Sequence, residues 1–149
     1  GLIDWTFDKE KEQHRPVTFI LSKNRTIKSI RDALFDQKTF VWHRDMLIGK
    51  KENISPVVTE NLKISSLGYY KKIVTIKIQN KSVVPFKLRY LGDYTFHSNS
   101  SILEIPSRGE LLVTIKTKEI LSSIEMSFEV LNVITAPNKN LVIKKNINL

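Results

Sequence analysis

The residues in this chain whose types could do chemistry are three histidines, scattered serines and a Tyr-Tyr-Lys-Lys run. His14-Arg15-Pro16 stands directly before the apolar run Val17–Leu21. An arginine there can hold an anion, and a neighbouring histidine can carry a proton near neutral pH. The simpler alternative is a junction where Pro16 stiffens the entry to a strand and Arg15 pairs with an acid. His43 and His97 have no second ligand at metal-binding spacing, because the sequence contains no H-x-H, H-E-x-x-H or D-x-H. Structural or solvated roles suit both, and no metal ligand is expected in the chain. Ser98 to Ser101 reads as a turn, with no G-x-S-x-G elbow anywhere. Asp8, Glu10 and Glu12 alternate with Lys9 and Lys11, the pattern of a solvated segment. Tyr69, Tyr70, Lys71 and Lys72 are the candidate binding residues, since two rings could stack on a ligand and two ammoniums could grip an anion. Lysines that keep strand faces soluble explain the same run more simply.

Composition narrows the chemistry further. The 149 residues include no cysteine, which removes thiol nucleophiles, thiolate-bound zinc, iron–sulfur clusters and disulfides together. The five glycines are dispersed, so no phosphate-cradling loop exists. No apolar run approaches the roughly 20 residues that span a bilayer. The net charge is +9, with ten basic and seven acidic residues in 1–50 and no block of five cations. Charge spread this evenly lacks the focused stripe of a nucleic-acid site and argues against that partner.

Two patterns position these residues. Val17–Leu21 reads as a strand covered on both faces. Thr26 caps a helix from Ile27 to about Asp36, with Ile27, Ile30, Ala33 and Leu34 on one apolar face. Thr39–His43 is a further strand. This strand–helix–strand (α/β) segment, residues 1–49, is too small to close a sheet alone. A connector over 50–61 suits a short helix in which Pro56 occupies the first turn or marks a break. From Leu62 the pattern has period two. Val74, Ile76 and Ile78, then Phe86, Leu88 and Tyr90, then Leu111, Val113 and Ile115 point inward. So do Met126, Phe128 and Val130, and finally Leu141, Ile143, Ile147 and Leu149. Tyr94–His97 and Ile102–Ile105 add short strands. Seven or eight such strands predict a mainly β fold, an antiparallel immunoglobulin- or fibronectin-like β-sandwich over 62–149.

One family resembles the chain. The run His14-Arg15-Pro16-Val17-Thr18-Phe19-Ile20, followed by Asn24-Arg25-Thr26-Ile27-Lys28-Ser29-Ile30-Arg31-Asp32-Ala33-Leu34, is similar to the closing segment of bacterial PHP-domain (polymerase and histidinol phosphatase) metal-dependent phosphoesterases. Thr39-Phe40-Val41-Trp42-His43 and Leu47-Ile48-Gly49-Lys50-Lys51-Glu52 continue the likeness, and Phe128 to Pro137 is similar to the end of a β-sandwich tail in that branch. The resemblance implies a distorted barrel whose divalent metals (Zn, Mn or Fe) are held by His, Asp and Glu, the last from an Asp-x-His element. That element is absent here and is expected upstream of Gly1. None of the family's metal ligands carries over, so the chain itself implies no cofactor. His14 and Arg15 match a segment near the active-site end, without an assigned catalytic role.

The expectation is a non-catalytic accessory or structural domain, partnered by the missing N-terminal catalytic barrel of the same polypeptide. The opening Gly and the polar residues after it suit a segment cut from something longer, whereas Leu141–Leu149 reads as a native end. The sequence leaves the location open, a periplasmic or secreted one included. Two rival readings stay open: a stand-alone β-sandwich binding module for a glycan or protein, with Tyr69, Tyr70, Tyr90 and Tyr94 as an exposed platform, and a basic nucleic-acid-binding domain.

Overall fold

The computed structural model describes residues 7–8, 13–97 and 100–149, with side chains from residue 15 onward. Strands β1 (Phe7–Asp8) and β2 (Gln13–His14) pair with each other. Next come β3 (Val17–Ile20), helix α1 (Ile27–Phe35), β4 (Thr39–His43), β5 (Met46–Gly49) and helix α2 (Lys51–Asn61). Seven strands follow: β6 (Leu62–Tyr70), β7 (Ile73–Asn80), β8 (Phe86–Tyr90), β9 (Ile102–Ile105), β10 (Glu110–Lys116), β11 (Ser123–Ala136) and β12 (Lys139–Asn148). The β-sandwich is thus present as the alternating pattern predicts. Its inward rows are buried, among them Val74, Ile76, Ile78, Phe86, Leu88, Met126, Phe128 and Val130.

One sheet has the order β10-β7-β6, antiparallel throughout. Between Ser66 and Gly68 the β6 register slips by a bulge, and Gly68 takes φ 98 there, a conformation that an L side chain resists. The other sheet forks at β11. Along one edge β11 carries β12. Its other edge is shared, first by β8 from Phe128↔Tyr90 to Val130↔Leu88, then by β5, which runs parallel to it at Val133↔Leu47 and Ile134↔Ile48. One arm continues from β8 to β9, the other from β5 through β4 to β3. Asn132 lies where the partner changes. Its Oδ1 accepts from Lys87 N–H at 3.0 Å, and its Nδ2 donates to the Pro85 carbonyl at 2.7 Å and to the Asp45 carbonyl. A buried amide fully used in this way holds both arms to one strand. Phe40, Leu47, Ile54 and Val58 lie in the same core as the sandwich residues. Buried Asn53 ties α2 to the start of β4 and the turn before it, donating to the Gln37 and Thr39 carbonyls at 2.8 and 3.1 Å.

Several local expectations change. Strand–helix–strand order is present, and Thr26 caps α1 by accepting from Ser29 N–H. The two strands, however, pair antiparallel, so this is no parallel βαβ crossover. Among the described residues β3 is an edge strand paired only with β4, which leaves Phe19 and Ile20 partly exposed instead of covered on both faces. The α1 face divides: Ala33 is buried and Ile30 half-buried, whereas Ile27 and Leu34 turn outward. Pro56 sits inside α2, beyond the first turn, and the helix runs on through it. The exposed proline ring is accommodated there, but Glu52 C=O loses its usual partner N–H. Tyr94–His97 is no full strand. Only Phe96 bridges Ile115, docking that loop on the β10 edge.

Candidate functional site

The Tyr69–Lys72 run falls at one end of the sandwich, in the tight turn between β6 and β7, where Lys71 takes φ 55. Tyr69 is half-buried, and its hydroxyl serves the fold. It accepts from Leu121 N–H at 3.2 Å and from the Thr117 hydroxyl at 3.3 Å. Thr117 is itself buried, and its N–H donates to the Lys72 carbonyl at 2.9 Å. These bonds lock the turn to the segment after β10. Tyr70 points outward, with Lys71 Nζ 5.5 Å from its ring centre, a solvent-exposed cation–π contact. Lys72 enters an open groove of about 880 Å³. Asp93, Tyr94 and Thr95 form one wall, and residues from Lys116 to Leu121 form the other.

The four tyrosines do not share a surface. Tyr90 is buried against Phe96 and Phe128, with ring centres 4.7 and 5.4 Å away. Its hydroxyl has no hydrogen-bond partner among the described residues. Burial raises its pKa above the ordinary tyrosine value. Tyr94 is half-buried at the groove wall, which leaves Tyr70 as the exposed ring of the four. Apart from Tyr94, the groove residues beyond Lys72 carry no local signal in the sequence, because 21 to 49 positions separate them from it. Lys72, Lys116 and Lys118 bring cationic donors to the groove, while Asp93, Glu119 and Thr95 bring acceptors. Such a groove can hydrogen-bond a polar ligand, but it holds no histidine or cysteine to act on one.

The His14 side chain lies outside the described residues, as do Glu10, Glu12, Ser98 and Asn99. Arg15 is exposed two residues before β3. His43 is on β4, its Nδ1 buried without a hydrogen-bond partner among the described residues, and His97 is exposed beside the Phe96 bridge. Among the described residues, no three His, Asp or Glu side chains stand close enough to hold a metal ion. They therefore do not fit the divalent metals that the family resemblance implies. No described helix is long and apolar enough to cross a membrane.

Elsewhere in the fold lies an apolar face that no described element covers. Ile27 and Phe35 of α1 are 87% and 80% exposed, and Leu34 beside them is 49% exposed.

A model of the Ig-like domain family DUF5001 matches residues 62–146. Comparison with curated proteins finds no match. Among solved structures, the chain is similar to the crystal structure of a two-domain protein containing a predicted PHP-like metal-dependent phosphoesterase from Bacteroides vulgatus ATCC 8482. The identity is 27% and the TM-score 0.82, over 94% of this chain and 41% of that one. The chain therefore spans about two fifths of the length of that relative.

Proposed function

The chain belongs to the Ig-like domain family DUF5001, and from that premise we propose that it is the non-catalytic accessory domain of a PHP-type metal-dependent phosphoesterase. One observation carries this reading. The likeness to the two-domain protein leaves about nine residues of this chain unmatched, far fewer than the 61 that precede the Ig-like segment. Most of β3, α1, β4, β5 and α2 thus has a counterpart in a protein that also contains a PHP-like domain. In this reading residues 1–49 are a remnant of the barrel region, 50–61 the connector and 62–149 the sandwich. The metal ligands, and the activation of water that a divalent ion supplies, reside in the rest of the polypeptide.

The test is phosphate-ester hydrolysis with Mn²⁺ or Zn²⁺, comparing the 149-residue chain with a longer polypeptide that contains it. Turnover is expected from the longer polypeptide alone. Hydrolysis by the 149-residue chain refutes the accessory role.

The groove beside Lys72 favours a second reading, a module that binds a glycan, since carboxylates, ammoniums and hydroxyls surround it together with the Tyr94 ring. Here Tyr70, Lys71 and Lys72 form the outer contacts and Tyr69 the support. Glycan binding that survives both Lys72→Ala and Tyr70→Ala counts against this site.

A further inference from the structure

We propose that the face formed by α1 and the edge strand β3, within the barrel-region remnant, is the surface on which the rest of the PHP-like domain of the same polypeptide packs. The inference rests on the accessory-domain reading above. A surface helix normally turns its large apolar side chains toward the core and its polar ones toward water. In α1 the order is partly reversed. Small Ala33 is buried, while Ile27, Leu34 and Phe35 stand outward around Arg31, spaced by seven and one residues and so on a single side. Clustered exposed side chains of this size mark an interaction surface.

The neighbouring strand carries a second sign. Among the described residues β3 pairs with β4 alone, so its outer edge offers backbone donors and acceptors that no described strand pairs. Its sequence, Val-Thr-Phe-Ile, contains none of the charges that discourage edge pairing. The β12 edge, by contrast, bears Lys139, Lys144 and Lys145. Phe19 on β3 stacks on Phe40 at 4.9 Å, so one ring edge leads from the exposed strand into the core. An adjoining domain packed there would rest on a firm support.

The occupant follows from where this face lies. It is outside the Ig-like segment, residues 62–146, yet nearly all of the chain matches a two-domain protein in which 59% of the length remains for the other domain. A domain on the same polypeptide is held near this face at high effective concentration.

Hydrogen exchange tests the docking directly, without relying on catalysis. The α1 and β3 amides should exchange at least tenfold more slowly in the longer polypeptide than in the 149-residue chain, while β7 and β11 exchange alike in both. The double variant Ile27→Glu/Phe35→Lys, which places acid and base at the helix ends that favour them, should restore fast exchange in α1. Both positions are largely exposed, so unchanged β7 and β11 rates verify that the fold survives. Equal α1 rates in the two proteins overturn the proposal. So does slow α1 exchange in the 149-residue chain alone, which would mean cover by its own N-terminal residues. A dimer of that chain that the double variant dissolves assigns the face to a second copy and also overturns it. A longer polypeptide that hydrolyses phosphate esters while its α1 exchanges freely keeps the accessory reading and removes only the docking. Slow α1 exchange without hydrolysis does the reverse.

Discussion

Asn132→Ala is the substitution that most directly probes how the forked sheet is held. The side chain is 5% exposed and makes three hydrogen bonds, all to backbone groups. Alanine removes all three and leaves the Lys87 N–H and the Pro85 carbonyl without a partner. The Asp45 carbonyl, in a half-exposed turn, can recruit water. At about 1 kcal/mol net for each bond, rising to about 1–3 where a buried partner is left unsatisfied, the loss is about 3 kcal/mol. Against a total stability of about 5–15 kcal/mol this is a large fraction. For a chain of this length it lowers Tm by about 6–12 °C. Urea unfolding should show a lower midpoint with an unchanged slope. Asn132→Asp sharpens the test. It keeps an acceptor for Lys87 but sets carboxylate oxygen against two carbonyls, so at neutral pH it should lose at least as much as alanine. Asn140→Ala supplies the scale, because it removes a single bond from Nδ2 to the Leu131 carbonyl at 2.8 Å. If Asn132→Ala loses no more than Asn140→Ala, the amide is not what joins the two arms.

Three further outcomes follow from the packing. Burial raises the Tyr90 pKa, so its neutral form is the one the fold favours; stability is complete below about pH 10 and falls as pH climbs past that value. Tyr90→Phe should abolish this alkaline loss, seen in Tm between about pH 9 and 11, while changing neutral-pH stability by under about 1 kcal/mol, since the hydroxyl has no hydrogen-bond partner among the described residues. Gly49→Ala puts a Cβ 2.6 Å from Phe40 Cβ across the β4–β5 pair and should cost about 1–3 kcal/mol; chemical denaturation within 0.5 kcal/mol of the unaltered chain would contradict the close approach. Pro56→Ala returns an N–H to the middle of α2 and should raise stability by about 1–2 kcal/mol, part of the gain being offset by a freer unfolded chain. A melting temperature at or below that of the unaltered chain would mean that Glu52 C=O is already satisfied.

How much of this was legible in the sequence differs between the halves of the chain. After Leu62 the period-two rows named the inward residues correctly, because every strand there has one face on a common core and one toward water. Before Leu62 the same logic misassigned Val17–Leu21 and half of α1. Apolar residues were expected to be covered, and periodicity cannot tell a face that packs within the chain from one left outward. β5 passed unnoticed as a strand because Met46–Gly49 is short; its hairpin with β4 is local, but its second partner, on β11, lies some 86 positions away. The candidate groove was visible only through Lys72 and Tyr94. Tyr69 and Tyr70 are adjacent in sequence yet serve opposite ends, one bonded into the fold and one exposed, because neighbouring strand residues point to opposite sides.

The sequence by itself determined the sandwich, the cap on α1, the absence of thiol chemistry and the likeness to PHP-type phosphoesterases. These depend on residue type, local spacing and alternation, which a linear reading preserves. Only the tertiary structure decided that β11 serves two arms, that Asn132 bonds both, and that Ile27 and Phe35 stand in the open. Each of those depends on which distant segment comes to lie beside a residue, and no local pattern encodes that.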